Sequence, residues 1–114
     1  MVARAITPDY ALGSHVAPLG LAFADEARLL GPGYAGGAFI GEHGSWNRNP
    51  FSGYRVVFVP FAGGRPNGQP VDVLAGFLAG DKAMGRPVGV EIARDGALLV
   101  ADDVGNTVWR VSAL

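Results

Sequence analysis

Apolar positions in this chain gather into short runs, each closed off by Gly, Pro, Asp or Asn. The runs are Pro18 to Phe23, Ala38 to His43, Arg55 to Phe61, Val71 to Phe77, Val88 to Ala93, Ala97 to Ala101 and Thr107 to Ser112. They are rich in Val, Ile and Phe and too short for ordinary helices, so they predict strands. The run at Arg55 is apolar at nearly every position, which predicts a strand covered on both faces, as in stacked sheets. The run at Val71 follows Pro70 and contains Asp72, which predicts an outer strand. GPGYAGG, AGGRPNGQP, GDKAMGRP, RDG and DDVGN read as turns and connections. DEARLL is a short segment for which a helical reading stays open. Residues 1–14 show no period and read as an extended lead-in.

The centre of this pattern is Gly36 to Phe61. There two apolar runs flank a polar segment holding Glu42, His43, Ser45, Trp46, Asn47, Arg48 and Asn49. A polar, aromatic loop held between buried strands is a good place for a binding site.

The runs also repeat. PLGLAF at Pro18 resembles PVGVEI at Pro87, GAFIGEH at Gly37 resembles GALLVADD at Gly96, and GYRVVFVPF at Gly53 resembles NTVWRVSA at Asn106. The offsets are 69 for the Pro pair and 59 for the Gly pair, so the first copy carries ten extra residues between its first two strands. Repeated units of three or four antiparallel strands are the mark of propeller blades. The expectation is therefore an all-β, β-propeller fragment of about two four-stranded blades, the second short of its outer strand. Residues 15–114 form the propeller-type segment, with blade one at about 15–80 and blade two at about 85–114. In such a blade the start of the first strand and the end of the second emerge on one face. That brings His15 and Arg86 beside His43 and Asp102, with the NRNPFSG loop opening onto the same mouth.

Composition narrows the function classes. With 49% hydrophobic and 17% charged residues, the 114-residue chain can form a core. A net charge of −1 gives no electrostatic case for nucleic acid or an anionic membrane surface. The absence of Cys removes disulfides, thiolate metal sites and a Cys nucleophile. No apolar run approaches the ~20 residues of a membrane span, and the N-terminus lacks the apolar core of a signal peptide. GxSxG, HExxH and CxxCH are absent, so common hydrolase, zincin and c-haem chemistries have no support.

The remaining chemistry sits at the mouth, and each residue has two readings. Arg86 presents either a guanidinium fork for a carboxylate ligand or a salt bridge between blades. His43 can hydrogen-bond a ligand oxygen or simply satisfy backbone at a strand end. Trp46 and Arg48 offer a stacking surface and a cation, or a surface loop packed by its own Trp. Asp102 and Asp103, with Asn106 nearby, can bind calcium through oxygen or cap a turn. DDVGN lacks EF-hand spacing, and the turn-cap reading is preferred.

The runs HVAPLGLAF, FIGEHGSWNRNPFSGYRVVFVPF and GRPVGVEIARDGALLVADDVGNTVWRV resemble the C-terminal part of the glucose/sorbosone dehydrogenase family, most closely its L-sorbosone dehydrogenase-like members. The resemblance covers His15 to Val111. It implies a six-bladed propeller that binds pyrroloquinoline quinone (PQQ) with calcium and transfers hydride from a sugar C1 to the quinone. By this resemblance Arg86, His43, His15 and Tyr10 take cofactor-side positions, with Trp46 and Arg48 beside them. The family's catalytic histidine and its main calcium ligands have no counterpart here. The resemblance implies a sugar or aldehyde substrate, a periplasmic or secreted full-length parent, and self-association or the missing blades as partners. A non-catalytic propeller-type binding or assembly module is the alternative.

Overall fold

The computed structural model describes residues 2–46 and 49–114. Among these residues ten strands carry the fold: β1 Pro18–Phe23, β2 Gly37–Glu42, β3 Arg55–Ala62, β4 Arg65–Pro66, β5 Val71–Leu74, β6 Leu78–Ala79, β7 Lys82–Ala83, β8 Pro87–Ile92, β9 Leu98–Asp102 and β10 Thr107–Val111. The described helical segments are short 3-10 turns at Val2–Arg4, Arg28–Leu30 and Pro32–Tyr34. DEARLL thus supplies one such turn, which buries Leu30.

The larger sheet runs β1-β2-β3, and both β4 and β5 pair with β3. The smaller sheet runs β10-β9-β8. Every pairing is antiparallel. The β5 strand lies on the outer side, as Pro70 and Asp72 imply, but it ends at Leu74. Phe77 leaves the strand and turns inward, buried against Trp109 in an edge-on ring contact. Two features escape the sequence pattern. AGGRPNGQP contains the two-residue β4, and the GDKAMGRP connection opens with the β6–β7 hairpin.

The sheets stack face to face around Phe39, Val56, Phe58, Val90, Leu98 and Val100, closed at one end by Ala24, Ala27 and Leu30. Tyr34, Phe39 and Phe58 form a ring cluster with centroids 5.0–5.7 Å apart. Each fully buried side chain of this size is worth about 1.5–3 kcal/mol, so this layer outweighs any surface ion pair. A second cluster, Ile40, Val57 and Val59, lies on the opposite face of the larger sheet under Tyr10, Leu12 and Phe61. Both faces of β3 are therefore covered, one by the second sheet and one by the lead-in.

The internal repeat is present with a corrected register. Pro18 pairs with Glu42 and Pro87 with Asp102, each beside a bulge, so the second strands correspond at an offset of 60. Across the next pair, Glu42 faces Arg55 and Asp102 faces Thr107. Glu42 therefore corresponds to Asp102, and His43 to Asp103. The 59-residue match between the two Gly-Ala starts is one position off, and a one-residue slip turns every side chain to the other face. Both equivalent carboxylates are buried, Glu42 at 1% exposure and Asp102 at 4%.

The sheets come closest where the β8 backbone meets glycines of the larger sheet. A Cβ on Gly20 would lie 2.2 Å from the Val88 carbonyl oxygen, and one on Gly41 2.7 Å. Backbone cannot yield there, and overpacking of this kind costs about 1–3 kcal/mol. Gly20→Ala is expected to lower the unfolding free energy by at least about 2 kcal/mol. Gly33→Ala, which meets nothing within 4 Å, should leave it nearly unchanged. Thermal or urea denaturation of the two variants checks the contrast.

Candidate functional site

The ends of β2 and β9 and the starts of β1 and β8 open on one side of the stacked sheets, as their pairing requires. Arg86 immediately precedes β8. Its backbone N–H donates to Asp102 Oδ1 at 2.8 Å. Its guanidinium reaches across to the other sheet, where Nε donates to the His43 carbonyl at 3.0 Å and Nη2 to the Gly44 carbonyl at 2.7 Å. A longer contact joins Nη2 to the Ser45 carbonyl at 3.4 Å. The same group lies over the Tyr54 ring, 5.1 Å from its centroid, in cation–π contact. Among the described residues Nη1 makes no hydrogen bond.

The loop that Arg86 grips is tightly stitched. His43 and Gly44 donate backbone N–H groups to Ala17 and Val16. Ser45 donates to the Ser52 carbonyl, and its Oγ accepts from the Ser52 N–H. Tyr54, buried and at φ +63°, donates its hydroxyl to the Ser45 carbonyl. The ring occupies the space where Gly44 would carry a Cβ, 2.3 Å away. Gly44 is thus required both by its φ of +94° and by the aromatic packed against it. Beside the loop a hollow of about 420 Å³ is lined by Leu12, Ser14, Phe51, Ser52 and Arg55, among others.

His43 and Asp103 join the two repeats a second time. His43 Nε2 lies 3.1 and 3.2 Å from the two carboxylate oxygens of Asp103. Asp102 takes the structural role: its carboxylate accepts from the Arg86 and Gly105 N–H groups and from Trp109 Nε1. Burial pushes its pKa up, but these hydrogen bonds and one from Val104 together hold it below the ordinary aspartate value. The turn-cap reading of this residue is therefore the observed one. On the larger sheet the equivalent Glu42 accepts from Arg55, whose Nη1 also bonds Asp72. The bond to Glu42, opposed by burial, raises the Arg55 pKa.

The structure brings Arg86 and His43 into direct contact and sets the exposed Trp46 on the loop they anchor. His15 lies at the same edge, at φ +63° with an exposed side chain, and its carbonyl accepts from Ser52 Oγ. Tyr10 sits elsewhere, packed on the Ile40, Val57 and Val59 cluster. Arg48 lies outside the described residues. Tyr54 and the carbonyls of residues 43–45 were not legible as site components; the Gly44 and Gly53 pair framing the loop was the available signal. Among the described residues no three His, Cys, Asp or Glu side chains gather to hold a metal ion.

Asp102→Asn keeps the shape of the group but puts an amide among four N–H donors. It is expected to cost about 1–3 kcal/mol, the scale of an unsatisfied buried group. Because the folded pKa is depressed, the carboxylate's contribution is complete above the ordinary aspartate value and is lost as pH falls through the folded one. Stability measured against pH should therefore show a shallower acid limb in Asp102→Asn than in the parent.

Comparison with known proteins agrees with this architecture. The chain is 38% identical over 104 residues to an uncharacterized protein of Borreliella burgdorferi, covering 90% of this chain and 27% of that one. It is 41% identical over 58 residues to a pyrroloquinoline quinone-dependent pyranose dehydrogenase of Coprinopsis cinerea, covering 51% of this chain and 7% of the enzyme. The holo pyranose dehydrogenase PQQ domain from Coprinopsis cinerea superposes with a TM-score of 0.73 at 29% identity, over 98% of this chain and 30% of that one. A Trichoderma reesei structure of carbohydrate-active enzyme family AA12 gives a TM-score of 0.67 at 25% identity, over 83% of this chain and 24% of that one. The all-β fold is thus propeller-like, and this chain spans under a third of each of these relatives. The profile of the TrAA12-like family matches residues 2–113, nearly the whole length, and the chain belongs to that family.

Proposed function

We propose that this chain is a C-terminal segment of a PQQ-dependent sugar dehydrogenase, two blades at about 15–80 and 85–114, supplying one edge of the cofactor mouth. The observation that carries the reading is the likeness of 98% of the chain to a PQQ-holding domain, combined with Arg86 at the shared mouth. A polycarboxylate quinone calls for cationic forks and flat faces. Arg86 Nη1 suits a carboxylate, His43 Nδ1 suits a polar contact, and Trp46 offers a ring face. His15 completes the candidate edge, Tyr10 contributes to it only by anchoring the lead-in, and Arg48 is a candidate from the sequence alone. When bound, PQQ supplies the hydride acceptor for oxidation at a sugar C1. The chain's own residues would orient that group and exclude water from one side. The L-sorbosone dehydrogenase-like motifs narrow the substrate class to a sugar or its aldehyde.

One observation favours a second reading, a non-catalytic propeller-type binding or assembly module. Nε and Nη2 of Arg86 are already held by loop carbonyls, a role that needs no ligand.

Titration of PQQ with calcium, followed by fluorescence, separates the two. Arg86→Ala is expected to weaken binding by about 1.5–3 kcal/mol, the scale of a hydrogen bond to a charged group. An absence of binding by the parent, or an unchanged Kd in a variant that circular dichroism shows folded, would reject the cofactor role. With PQQ, calcium and an artificial electron acceptor, the chain alone is expected to oxidise no sugar. Neither His15 nor His43 matches the position of the family's base, and such a base contributes ~10²–10⁴-fold. PQQ-dependent turnover by the purified chain would contradict that expectation.

A further inference from the structure

Two places in this chain put a glycine directly after an asparagine or aspartate, Asn67-Gly68 and Asp95-Gly96. In such a pair the backbone nitrogen of the glycine can bond to the side-chain carbonyl carbon before it, closing a five-membered ring. Glycine favours the closure because no Cβ obstructs it and the backbone turns freely. Asn67 and Asp95 are both exposed, so contact with water does not separate the two pairs. Their hydrogen bonds do.

The Asp95-Gly96 pair is locked. Gly96 is buried, its N–H donates to the Ala93 carbonyl at 2.8 Å, and its carbonyl accepts from the Leu29 N–H at 3.0 Å. The Arg28 backbone nitrogen lies 2.8 Å from where a Cβ on Gly96 would stand. The attacking nitrogen is thus already committed, on a residue packed too tightly to rotate. Asp95 is held as well: Oδ1 accepts from the Ala97 N–H at 3.1 Å and Oδ2 from Arg110 Nη2 at 2.6 Å. The Arg110 bond, helped by that of Ala97, keeps this carboxyl below the ordinary aspartate value. An ionised carboxylate resists nucleophilic attack.

The Asn67-Gly68 pair has none of these restraints. It follows β4, and Gly68 forms a bend at φ +105°. The Asn67 N–H donates to the Pro60 carbonyl at 2.8 Å, which fixes the residue on its N-terminal side only. Among the described residues no hydrogen bond joins the Asn67 side chain or the Gly68 N–H to a partner. A Cβ on Gly68 would meet only the Pro60 ring, at 3.5 Å.

From this contrast we infer that Asn67 is a site of self-catalysed covalent modification, its side-chain amide becoming a carboxylate through a succinimide. The Gly68 nitrogen gives up its proton to solvent base and bonds to Asn67 Cγ. The Cγ–Nδ2 bond breaks, and the nitrogen leaves as ammonia after taking a proton from water. Water then opens the ring at either carbonyl, leaving aspartate or isoaspartate at position 67. One water is consumed, one ammonia is released, and nothing is oxidised or reduced. The product adds a negative charge to a chain of net charge −1. In its isoaspartate form it also lengthens the backbone between β4 and β5 by one methylene.

Incubation of the purified chain in mildly alkaline buffer, followed by ion exchange and peptide mass spectrometry, tests the inference. A more acidic species is expected to accumulate, with hydroxyl replacing amine at Asn67 and isoaspartate in the same peptide. The Asp95 peptide should stay free of isoaspartate. Asn67→Gln, which would need a six-membered ring, should abolish the acidic species. In guanidinium chloride Asp95 should isomerise at least about tenfold faster, the factor carried by one hydrogen bond to a charged group. The rate at Asn67 should barely change, because the fold does not restrain it. An Asn67 that stays intact in the folded chain, or converts only once unfolded, would overturn the inference. So would conversion spread evenly over the other asparagines, or an Asp95 that isomerises as fast folded as unfolded.

Discussion

A single guanidinium ties this molecule together at the point where its chemistry gathers. Arg86 belongs to the smaller sheet, yet its side chain donates to the carbonyls of His43 and Gly44 at the edge of the larger one. A charged donor bonded to carbonyls in a partly buried setting is among the stronger hydrogen bonds available to a protein. Its own backbone is fixed by Asp102, a buried carboxylate with several N–H donors around it. The position of the 43–54 loop relative to β8 depends on this chain of contacts. Without it the apolar layer between the sheets would still form, because that layer is built from β2, β3, β8 and β9. The mouth would lose its definition.

The loop is held from below as firmly as from the side. Tyr54 fills the space beneath Gly44, bonds the Ser45 carbonyl and lies under the Arg86 guanidinium. Such an arrangement leaves Trp46 outside the packed part, 83% exposed, on a loop whose base cannot move freely. The His43–Asp103 contact adds a second link between the repeats. The geometry thus offers oriented polar groups along one edge, which agrees with a chain spanning 30% of the PQQ domain it resembles.

Burial in this fold is strongly directional. The strands of the larger sheet are sealed on one face by the smaller sheet and partly on the other by Tyr10 and Leu12. The smaller sheet has only one covered face, and Val108 and Ala101 are left exposed on the other. Nothing in local propensity distinguishes the covered β2 from the half-covered β9. Their difference is one of neighbours.

The sequence alone determined where most strands lie and that they come twice. PLGLAF forms a strand over the residues its apolar run marks, Pro18–Phe23, and its copy forms one over Pro87–Ile92, one position earlier than the run Val88 to Ala93. It also determined that Arg86, His43 and Asp102 converge, since two antiparallel strands must return to the side from which they started. The tertiary structure decided the rest. The β4 strand and the β6–β7 hairpin are two residues wide, too short to carry any periodicity. The repeat register shifted by one because the first copy opens on two glycines, and strand pairing aligns Gly36 rather than Gly37 with Gly96, which similarity of letters does not show. Tyr10 went to the apolar cluster because a lead-in without period has no face of its own until a sheet provides one. The partners of Arg86 were the least legible of all: they are backbone carbonyls, which every residue carries, so only the folded path of the chain could single out those three.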